Sequence, residues 1–302
     1  MTSNCLLVTA RFDGRLVAAV AAGEALYRPP WLRTAAGVID ALRAWPELSD
    51  RWRSWRPDEA DRLTGAQVVQ PLQYPPKVLC SGPNFTDHLA EMGESGLGDA
   101  WSAYFFLKPP TTTLVADGAD VLIDDPETAK ADWEGELAVI IGIGGRRVRP
   151  EDAMRHVAGY MVANDISLRA PHRRDTPAKP FQWDWLASKG ADTSLPIGPG
   201  LVPAWTVADP QKLRIRTRVN GELRQDGSTA DMVLGVAELI ADASRLVTLE
   251  PGDVILTGTP AGVGASTGRF LSDGDKVEVE IEGVGAISNT IRRRPPEHEE
   301  TP

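Results

Sequence analysis

Residues 132–141 read DWEGELAVII, so that two glutamates flanking Gly135 lead directly into five consecutive apolar residues. Such a run is typical of a strand that is buried on both faces. Other short segments with strand chemistry follow the same pattern of apolar residues bounded by turn residues. They lie at residues 78–80, 160–163, 254–256 and 276–281. The chain therefore predicts a strand-rich, mostly β domain of the α+β class around this stretch.

The turn chemistry supports the same fold class. Residues 213–219 alternate apolar and basic side chains and meet the pair Asn220-Gly221, which is a strong hairpin signal. Residues 5–27 predict further paired strands, and residues 31–48 predict a helix ending near Pro46. A proline-rich segment at 70–76 is typical of a linker.

We place a domain boundary in that linker, because the sequence changes character after it. The prediction is a small N-terminal α/β domain over residues 1–75, a catalytic domain over residues 76–292 and a polar tail over residues 293–302.

Three carboxylates are positioned to share a cation. In an extended chain Glu134 and Glu136 project from one face, and Asp165 follows the apolar segment 160–163. Carboxylates that lie close together repel one another unless a cation or a proton lies between them. Oxygen donors without thiolates favour a hard divalent ion, Mg²⁺ or Mn²⁺. The alternative is a solvated strand end, with Asp165 as a turn or helix cap.

Composition excludes several functional classes. The 302 residues carry 32 basic and 42 acidic side chains, a net charge of −10 that disfavours nucleic acid and anionic membranes as partners. Two cysteines provide no disulfide framework. No apolar run approaches the roughly 20 residues of a membrane span, and the first residues lack a secretory signal pattern. We therefore expect a soluble, cytoplasmic protein.

Other residues have chemistry that spacing alone leaves open. His88 and Glu91, three residues apart on a predicted helix, could form a general base with its orienting carboxylate, or a plain surface contact. Lys108 and Lys189 could stabilise an enolate, or simply be solvated. The loop 257–264 could bind a substrate carboxylate through exposed amides and the Thr259 hydroxyl, or be an ordinary turn.

The order of these motifs along residues 76–292 resembles the fumarylacetoacetate hydrolase family. The motifs are Gly82-x-Asn84-Phe85-x-x-His88-x-x-Glu91, Phe106-Leu107-Lys108-Pro109, Trp133-Glu134-Gly135-Glu136-Leu137, Asn164-Asp165-x-Ser167, Lys189-x-x-Asp192-Thr193 and Gly258-Thr259-Pro260-x-Gly262-x-Gly264. The resemblance implies a pseudo-β-barrel catalytic fold, a magnesium or manganese ion, a homodimer and a small oxo acid as substrate.

The resemblance also implies roles for individual residues. These are metal ligation by Glu134, Glu136 and Asp165, water activation by His88 and Glu91, catalysis near the substrate oxygens by Lys189, and carboxylate binding by Thr259. We further assign substrate binding to Phe85, Lys108, Arg169 and His172. The function it favours is metal-dependent hydrolysis of a C–C bond in a 2,4-dioxo acid such as an acylpyruvate. The alternatives are a decarboxylase or an isomerase or hydratase of a 2-oxo or 2-hydroxy-dienoic diacid on the same fold, and more remotely a non-catalytic ligand-binding protein.

One segment departs from the family's pattern. Many members carry Ala-Arg-Asp-x-Gln after the ligand aspartate, whereas residues 168–172 here read LRAPH. The polar Asp and Gln are missing, and His172 could substitute for them. Residues 173–185 are rich in Pro, Trp and Arg. We therefore predict a remodelled pocket for a bulkier or more hydrophobic substrate.

Overall fold

The computed structural model describes residues 5–94 and 101–295. Strands dominate, and short helices connect them. The α-helices are α1 (Val38–Arg43), α2 (Trp45–Ser54), α3 (Thr86–Glu91), α4 (Pro150–Ala153), α5 (Arg169–His172), α6 (Trp185–Lys189), α7 (Val236–Leu246) and α8 (Gly264–Thr267). No helix in the described ranges is long and apolar enough to cross a membrane.

The strands confirm the mostly β prediction. They are β1 (Leu6–Phe12), β2 (Arg15–Ala22), β3 (Ala25–Tyr27), β4 (Arg62–Leu63), β5 (Gln67–Val68), β6 (Val78–Ser81), β7 (Phe105–Leu107), β8 (Leu114–Val115), β9 (Asp120–Ile123), β10 (Ala131–Asp132), β11 (Gly135–Ile141), β12 (Val157–Asn164), β13 (Ser167–Leu168), β14 (Leu195–Pro203), β15 (Arg214–Val219), β16 (Glu222–Ser228), β17 (Val254–Leu256), β18 (Lys276–Ile281) and β19 (Gly285–Arg293).

A mixed sheet forms the centre of the molecule, in the order β4-β3-β2-β1-β14-β12-β11-β17-β6-β7, with β5 and β8 paired at its sides. Every residue of β11 and β12 is buried, because the sheet is covered on both faces. The two strands are antiparallel, and Gly135 lies opposite Asn164. The start of β11 and the end of β12 therefore meet at one edge, where the predicted ligands lie.

A second sheet has the order β16-β15-β18-β19-β9. Its β15–β16 hairpin turns at Asn220 and Gly221, both at positive φ, which confirms the hairpin prediction. A small ladder of β10 and β13 lies beside the site. Across the described residues the pairing is open, so the predicted pseudo-barrel is a pair of large, twisted sheets and not a closed barrel.

The N-terminal strands belong to the same sheet as the centre of the molecule. Leu7 of β1 pairs with Leu201 of β14, and Trp45 and Trp52 pack against Trp205. The prediction that a helix ends near Pro46 was wrong, since Pro46 lies in the first turn of α2. A proline is tolerated there because the first turn needs no N–H donor. The division at residues 75 and 76 stays a prediction.

Candidate active site

The strand pairing of the central sheet brings the three predicted ligands together. The Asp165 N–H donates to the Glu134 carbonyl oxygen at 2.9 Å, and the Glu134 N–H donates to Asn164 Oδ1 at 3.0 Å. One carboxylate oxygen from each of Glu134, Glu136 and Asp165 lies within 4.8 Å of the others. Their exposed fractions are 7%, 1% and 1%, so they are not a solvated strand end.

Lys189 neutralises two of these carboxylates. Its Nζ donates to Glu134 Oε2 at 2.7 Å and to Asp165 Oδ2 at 2.8 Å. Burial alone would raise the pKa of Glu134, but the charges of Lys189 and Arg169 outweigh it and hold that pKa below its ordinary value. The pKa of Lys189 is raised, because Asp165 and Glu134 outweigh the effect of its burial. Glu134 and Lys189 are therefore both charged in this site.

Glu136 is the carboxylate whose buried charge a bound cation would compensate. Its Oε2 accepts the Gly258 N–H at 2.7 Å, and no Lys or Arg in the described ranges forms an ion pair with it. Burial, followed by repulsion from Asp165 and Glu134, raises the pKa of Glu136 well above its ordinary range. A divalent ion bound between the three carboxylates would remove this penalty, so their buried oxygen donors fit Mg²⁺ or Mn²⁺.

His88 and Glu91 lie on α3 as predicted, and their side chains meet. His88 Nδ1 lies 2.9 Å from Glu91 Oε2, while Glu91 Oε1 accepts the Gly262 N–H at 3.0 Å. The preceding Asp87 accepts the Ala261 N–H at 3.1 Å. These two bonds dock α3 on the 257–264 loop and fix the carboxylate that orients the imidazole.

A cavity of about 270 Å³ joins these groups. Its lining includes His88, Glu91, Glu134, Glu136, Arg169, His172, Lys189 and Thr259 from the predicted residues. The His88–Glu91 pair and the carboxylates of Glu134 and Glu136 therefore face one and the same volume, which is large enough for a small organic acid.

The described site has the parts expected of one enzyme family, and the sequence matches that family directly. The model of the family "Fumarylacetoacetate (FAA) hydrolase C-terminal" matches residues 77–292. This chain belongs to the fumarylacetoacetate hydrolase family. Within the family the chain is 40% identical to oxaloacetate tautomerase YisK of Bacillus subtilis over 232 residues, 76% of this chain and 74% of that protein. It is 42% identical to the human mitochondrial oxaloacetate tautomerase FAHD2A over 225 residues, 74% and 68% of the two chains.

Solved structures of family members share the whole fold. A fumarylacetoacetate hydrolase from psychrophilic Exiguobacterium antarcticum superposes with a TM-score of 0.77 at 33% identity, covering 96% of this chain and 100% of that one. Maleylpyruvate hydrolase from Sphingobium sp. SYK-6, in complex with manganese(II) and pyruvate, superposes with a TM-score of 0.72 at 29% identity, covering 95% and 100%. The similarity therefore extends beyond residues 77–292 to nearly the whole chain.

Two residues predicted to bind substrate, Phe85 and Lys108, are not among the residues that line the cavity. Phe85 is fully buried in the core, because Asn84 anchors the β6–α3 connection through bonds to the Leu234 and Thr257 carbonyls. Lys108 is also fully buried, and its Nζ contacts Asp165 Oδ1 at 2.6 Å and the Ile166 carbonyl at 3.0 Å. The described contacts thus place Phe85 in the core and pair Lys108 with a predicted metal ligand, and substrate binding by either residue stays a prediction.

The amides of the 257–264 loop, which we expected to bind a substrate carboxylate, are bound to carboxylates of the protein. Gly258, Ala261 and Gly262 donate to Glu136, Asp87 and Glu91 as described above, and the Gly264 and Ala265 N–H groups donate to Asp132. These donors are therefore engaged within the protein, and the binding of a substrate carboxylate by this loop stays a prediction.

The Thr259 hydroxyl is also committed within the protein. It donates to the Gly135 carbonyl at 2.9 Å and accepts from Gln225 Nε2 at 2.8 Å. Gln225 in turn accepts the Gly135 N–H through Oε1 at 3.0 Å. Gln225, which we did not predict, therefore fixes both Thr259 and the residue between the two glutamate ligands. The sequence around Gln225 gives no indication of this role beyond an inward position in a strand.

Asp132 is a second residue that we did not assign. Its Oδ2 accepts from Arg169 Nε at 2.8 Å, and the Arg169 guanidinium also donates to Glu134 Oε1 at 2.6 Å. Burial raises the pKa of Asp132 although Arg169 opposes the shift. The i, i+2 spacing that relates Glu134 to Glu136 extends back to Asp132, and this signal could have identified it.

His172 lies in the cavity wall, as predicted, within an aromatic group. Its ring centroid is 4.5 Å from that of Trp185 and 5.1 Å from that of Trp183. Trp185 stacks on Phe106 at 4.8 Å. Burial, followed by the charges of Arg169 and Lys189, lowers the pKa of His172. The segment that departs from the family's pattern thus forms an aromatic wall.

Proposed function

We propose that this chain is a divalent-metal-dependent enzyme that interconverts the keto and enol forms of a small 2-oxo acid. The observation that carries the proposal is that the His88–Glu91 pair and the carboxylates of Glu134 and Glu136 line one cavity. An oxygen of Asp165 lies within 4.8 Å of oxygens of both glutamates. Relatives named oxaloacetate tautomerases support this reaction, which corresponds to the isomerase alternative given from sequence. We take Mg²⁺ or Mn²⁺ as the ion, and a homodimer and a cytoplasmic location stay predictions.

Each group has a role in tautomerisation. Glu134, Glu136 and Asp165 would hold the ion, which would supply Lewis acidity toward the oxygens of a 2-oxo acid. In the keto-to-enol direction His88 Nε2 takes the proton from the substrate carbon and delivers it to the enolate oxygen, and the reverse reaction retraces this transfer, while Glu91 holds Nδ1 and fixes the ring. Lys189, charged and bound to Glu134 and Asp165, stabilises negative charge on the enolate oxygen.

Hydrolysis of an acylpyruvate is the second candidate function. It needs a water activated by a general base, and the hydrogen-bonded His88–Glu91 pair provides that base. A solved relative at 29% identity is named as a maleylpyruvate hydrolase, which supports this reaction. Decarboxylation remains a third outcome on the same site, since it needs enolate stabilisation but no attacking water.

One assay distinguishes the three reactions. The enol of oxaloacetate is mixed with the protein in Mg²⁺, in Mn²⁺ and in EDTA, and the loss of enol absorbance is compared with pyruvate and CO₂ release. An acylpyruvate is assayed in parallel for cleavage. We expect metal-dependent loss of enol that exceeds both other rates, and its abolition in Glu134→Gln. Acylpyruvate cleavage faster than enol loss would favour the hydrolase, and turnover of none of these acids would contradict the enzyme assignment.

A further inference from the structure

The cavity has two cationic side chains in its lining, and the protein's own carboxylates already engage both. Arg169 forms ion pairs with Asp132 and Glu134, and Lys189 with Glu134 and Asp165. No further Lys or Arg lines the cavity among the described residues. The head group of a 2-oxo acid can approach this cluster. A second carboxylate at the far end of the molecule would find no further cation in the lining, and the two present are already shared among Asp132, Glu134 and Asp165.

Four backbone donors at the cavity wall are also already bound to carboxylates of the protein. The N–H groups of Gly258, Gly262, Gly264 and Ala265, all in or beside the cavity wall, donate to the carboxylates of Glu136, Glu91 and Asp132. A buried carboxylate needs such donors or an opposite charge to offset its desolvation. This cavity therefore disfavours a diacid.

An apolar and aromatic wall adjoins the charged cluster, since Lys189 Nζ lies 5.3 Å from the centroid of the Phe106 ring. Phe106 and Trp185 stack at an interplanar angle of 22°, and His172 meets the Trp185 ring edge-on at 64°. Met92, at the rim, and Val263 complete this wall. Flat rings at this spacing provide a surface on which another ring can stack or insert.

His172 adds polarity to the wall without adding charge. Its Nε2 atom is buried and has no hydrogen-bond partner in the part of the chain that is described. Burial and the nearby guanidinium of Arg169 lower its pKa, so the imidazole is neutral at neutral pH. A neutral imidazole can bond to one polar atom, but it cannot neutralise a distal carboxylate.

We propose that the wall formed by Phe106, Trp185 and His172 binds the distal substituent of the 2-oxo acid, and that this substituent is aromatic or otherwise apolar rather than a second carboxylate. The head-group chemistry rests on the proposed function, whereas the distal preference rests on the wall itself. The substrate class is then an aryl- or alkyl-substituted 2-oxo acid, of which phenylpyruvate is the simplest test compound.

A matched pair of unreactive ligands tests the preference by binding alone. Oxanilate and N-oxalylglycine share an oxamate head group, and they carry a phenyl ring and a carboxymethyl group respectively at the distal end. Calorimetry with the Mn²⁺-loaded protein gives both Kd values. We expect oxanilate to bind at least about tenfold more tightly. Equal affinities, or tighter binding of N-oxalylglycine, would overturn the proposal.

Variants of Trp185 test whether the aromatic wall causes the preference for oxanilate. Trp185→Ala should reduce the oxanilate preference by about tenfold and change the Kd of N-oxalylglycine less than about twofold, while Trp185→Phe should retain most of the preference. Leu246→Ala, at an exposed apolar residue outside the cavity, is the control. An equal loss for both ligands in Trp185→Ala would indicate a structural role and overturn the assignment.

Turnover measurements distinguish a failure of the proposed function from a failure of the distal preference. Enol-phenylpyruvate and enol-oxaloacetate are assayed with the same protein, and we expect the higher kcat/KM for phenylpyruvate. Absence of metal-dependent turnover of both would contradict the proposed function, and the binding ratio would still decide the distal preference. Efficient turnover of oxaloacetate with little turnover of phenylpyruvate would support the function and overturn the distal preference.

Discussion

Lys108 Nζ lies 2.6 Å from Asp165 Oδ1, and both side chains are almost completely buried. Lys108→Met keeps the length of the side chain but removes its charge, which leaves part of the Asp165 carboxylate without its partner. Removing one member of a buried ion pair costs about 3–5 kcal/mol. We expect a loss of that size in the free energy of unfolding, measured by urea denaturation in EDTA.

An exposed ion pair provides the control. Arg43 contacts Asp40 at 2.6 Å, but its side chain is 70% exposed. Arg43→Ala should cost less than about 1 kcal/mol, because water and salt screen such pairs. A Lys108→Met loss no larger than that of Arg43→Ala would contradict the buried pairing of Lys108 with Asp165.

Gly135 has no room for a side chain. A Cβ atom there would lie 2.4 Å from Thr217 Oγ1 and 3.0 Å from Val279 Cγ1. Gly135→Ala should therefore displace Glu134 and Glu136 and weaken Mn²⁺ binding at least about tenfold by calorimetry, in keeping with the sensitivity of metal sites to residues that orient their ligands.

Removing the Thr217 hydroxyl should partly restore Mn²⁺ binding in the Gly135→Ala variant. The Thr217 hydroxyl is buried and has no hydrogen-bond partner in the described structure, so Thr217→Ala alone should change Mn²⁺ affinity little. Combined with Gly135→Ala, it removes the closest of these contacts and should restore part of the affinity. If the double variant binds Mn²⁺ no better than Gly135→Ala, the steric explanation is wrong.

The parts of the site that sequence predicted are those set by local spacing. The i, i+2 relation of Glu134 and Glu136 and the i, i+3 relation of His88 and Glu91 both hold in the structure, because strand and helix periodicity fix them. Asp165 was grouped with them because it follows an apolar segment with strand chemistry, and the β11–β12 pairing brings that strand end to Gly135.

What sequence could not predict depends on contacts between distant segments. Lys108 and Phe85 have residue types that suit a substrate site, but tertiary packing buries Phe85 and pairs Lys108 with Asp165. Gln225 lies 90 residues from Gly135, to which it bonds, and no local pattern indicates such a partner. The carboxylates that accept the N–H groups of Gly262 and Gly264 also come from distant segments, so the sequence does not show that these donors are already bound.

His172 should make the stability of the protein depend on pH. Its pKa in the folded protein lies below its ordinary value, through burial and the charges of Arg169 and Lys189. Below the unfolded pKa of about 6.5, the unfolded chain therefore binds a proton that the folded chain resists. This contribution to stability is present above that pH and is lost as the pH falls toward the folded pKa.

The matched variant is His172→Gln, which cannot titrate. Urea denaturation of both proteins between about pH 8 and about pH 5.5 should show the wild type losing stability relative to the variant as the pH falls. A stability difference that does not change over this range would show that folding leaves the pKa of His172 unchanged, and a change of opposite sign would show that folding raises it; either result would contradict the prediction.

Glu136→Gln should have opposite effects on the metal-free and the metal-loaded protein. Without metal, Glu136 is a buried acid bonded to the Gly258 N–H with no cation partner among the described residues, so an uncharged isostere should be neutral or stabilising by about 1 kcal/mol. With Mn²⁺ at about 100 times its Kd, binding should add about 2.7 kcal/mol to the wild type and nothing to the variant. Melting temperatures in EDTA and in Mn²⁺ therefore cross over between the two proteins, whereas an equal Mn²⁺ shift in both would remove Glu136 from the ligand set.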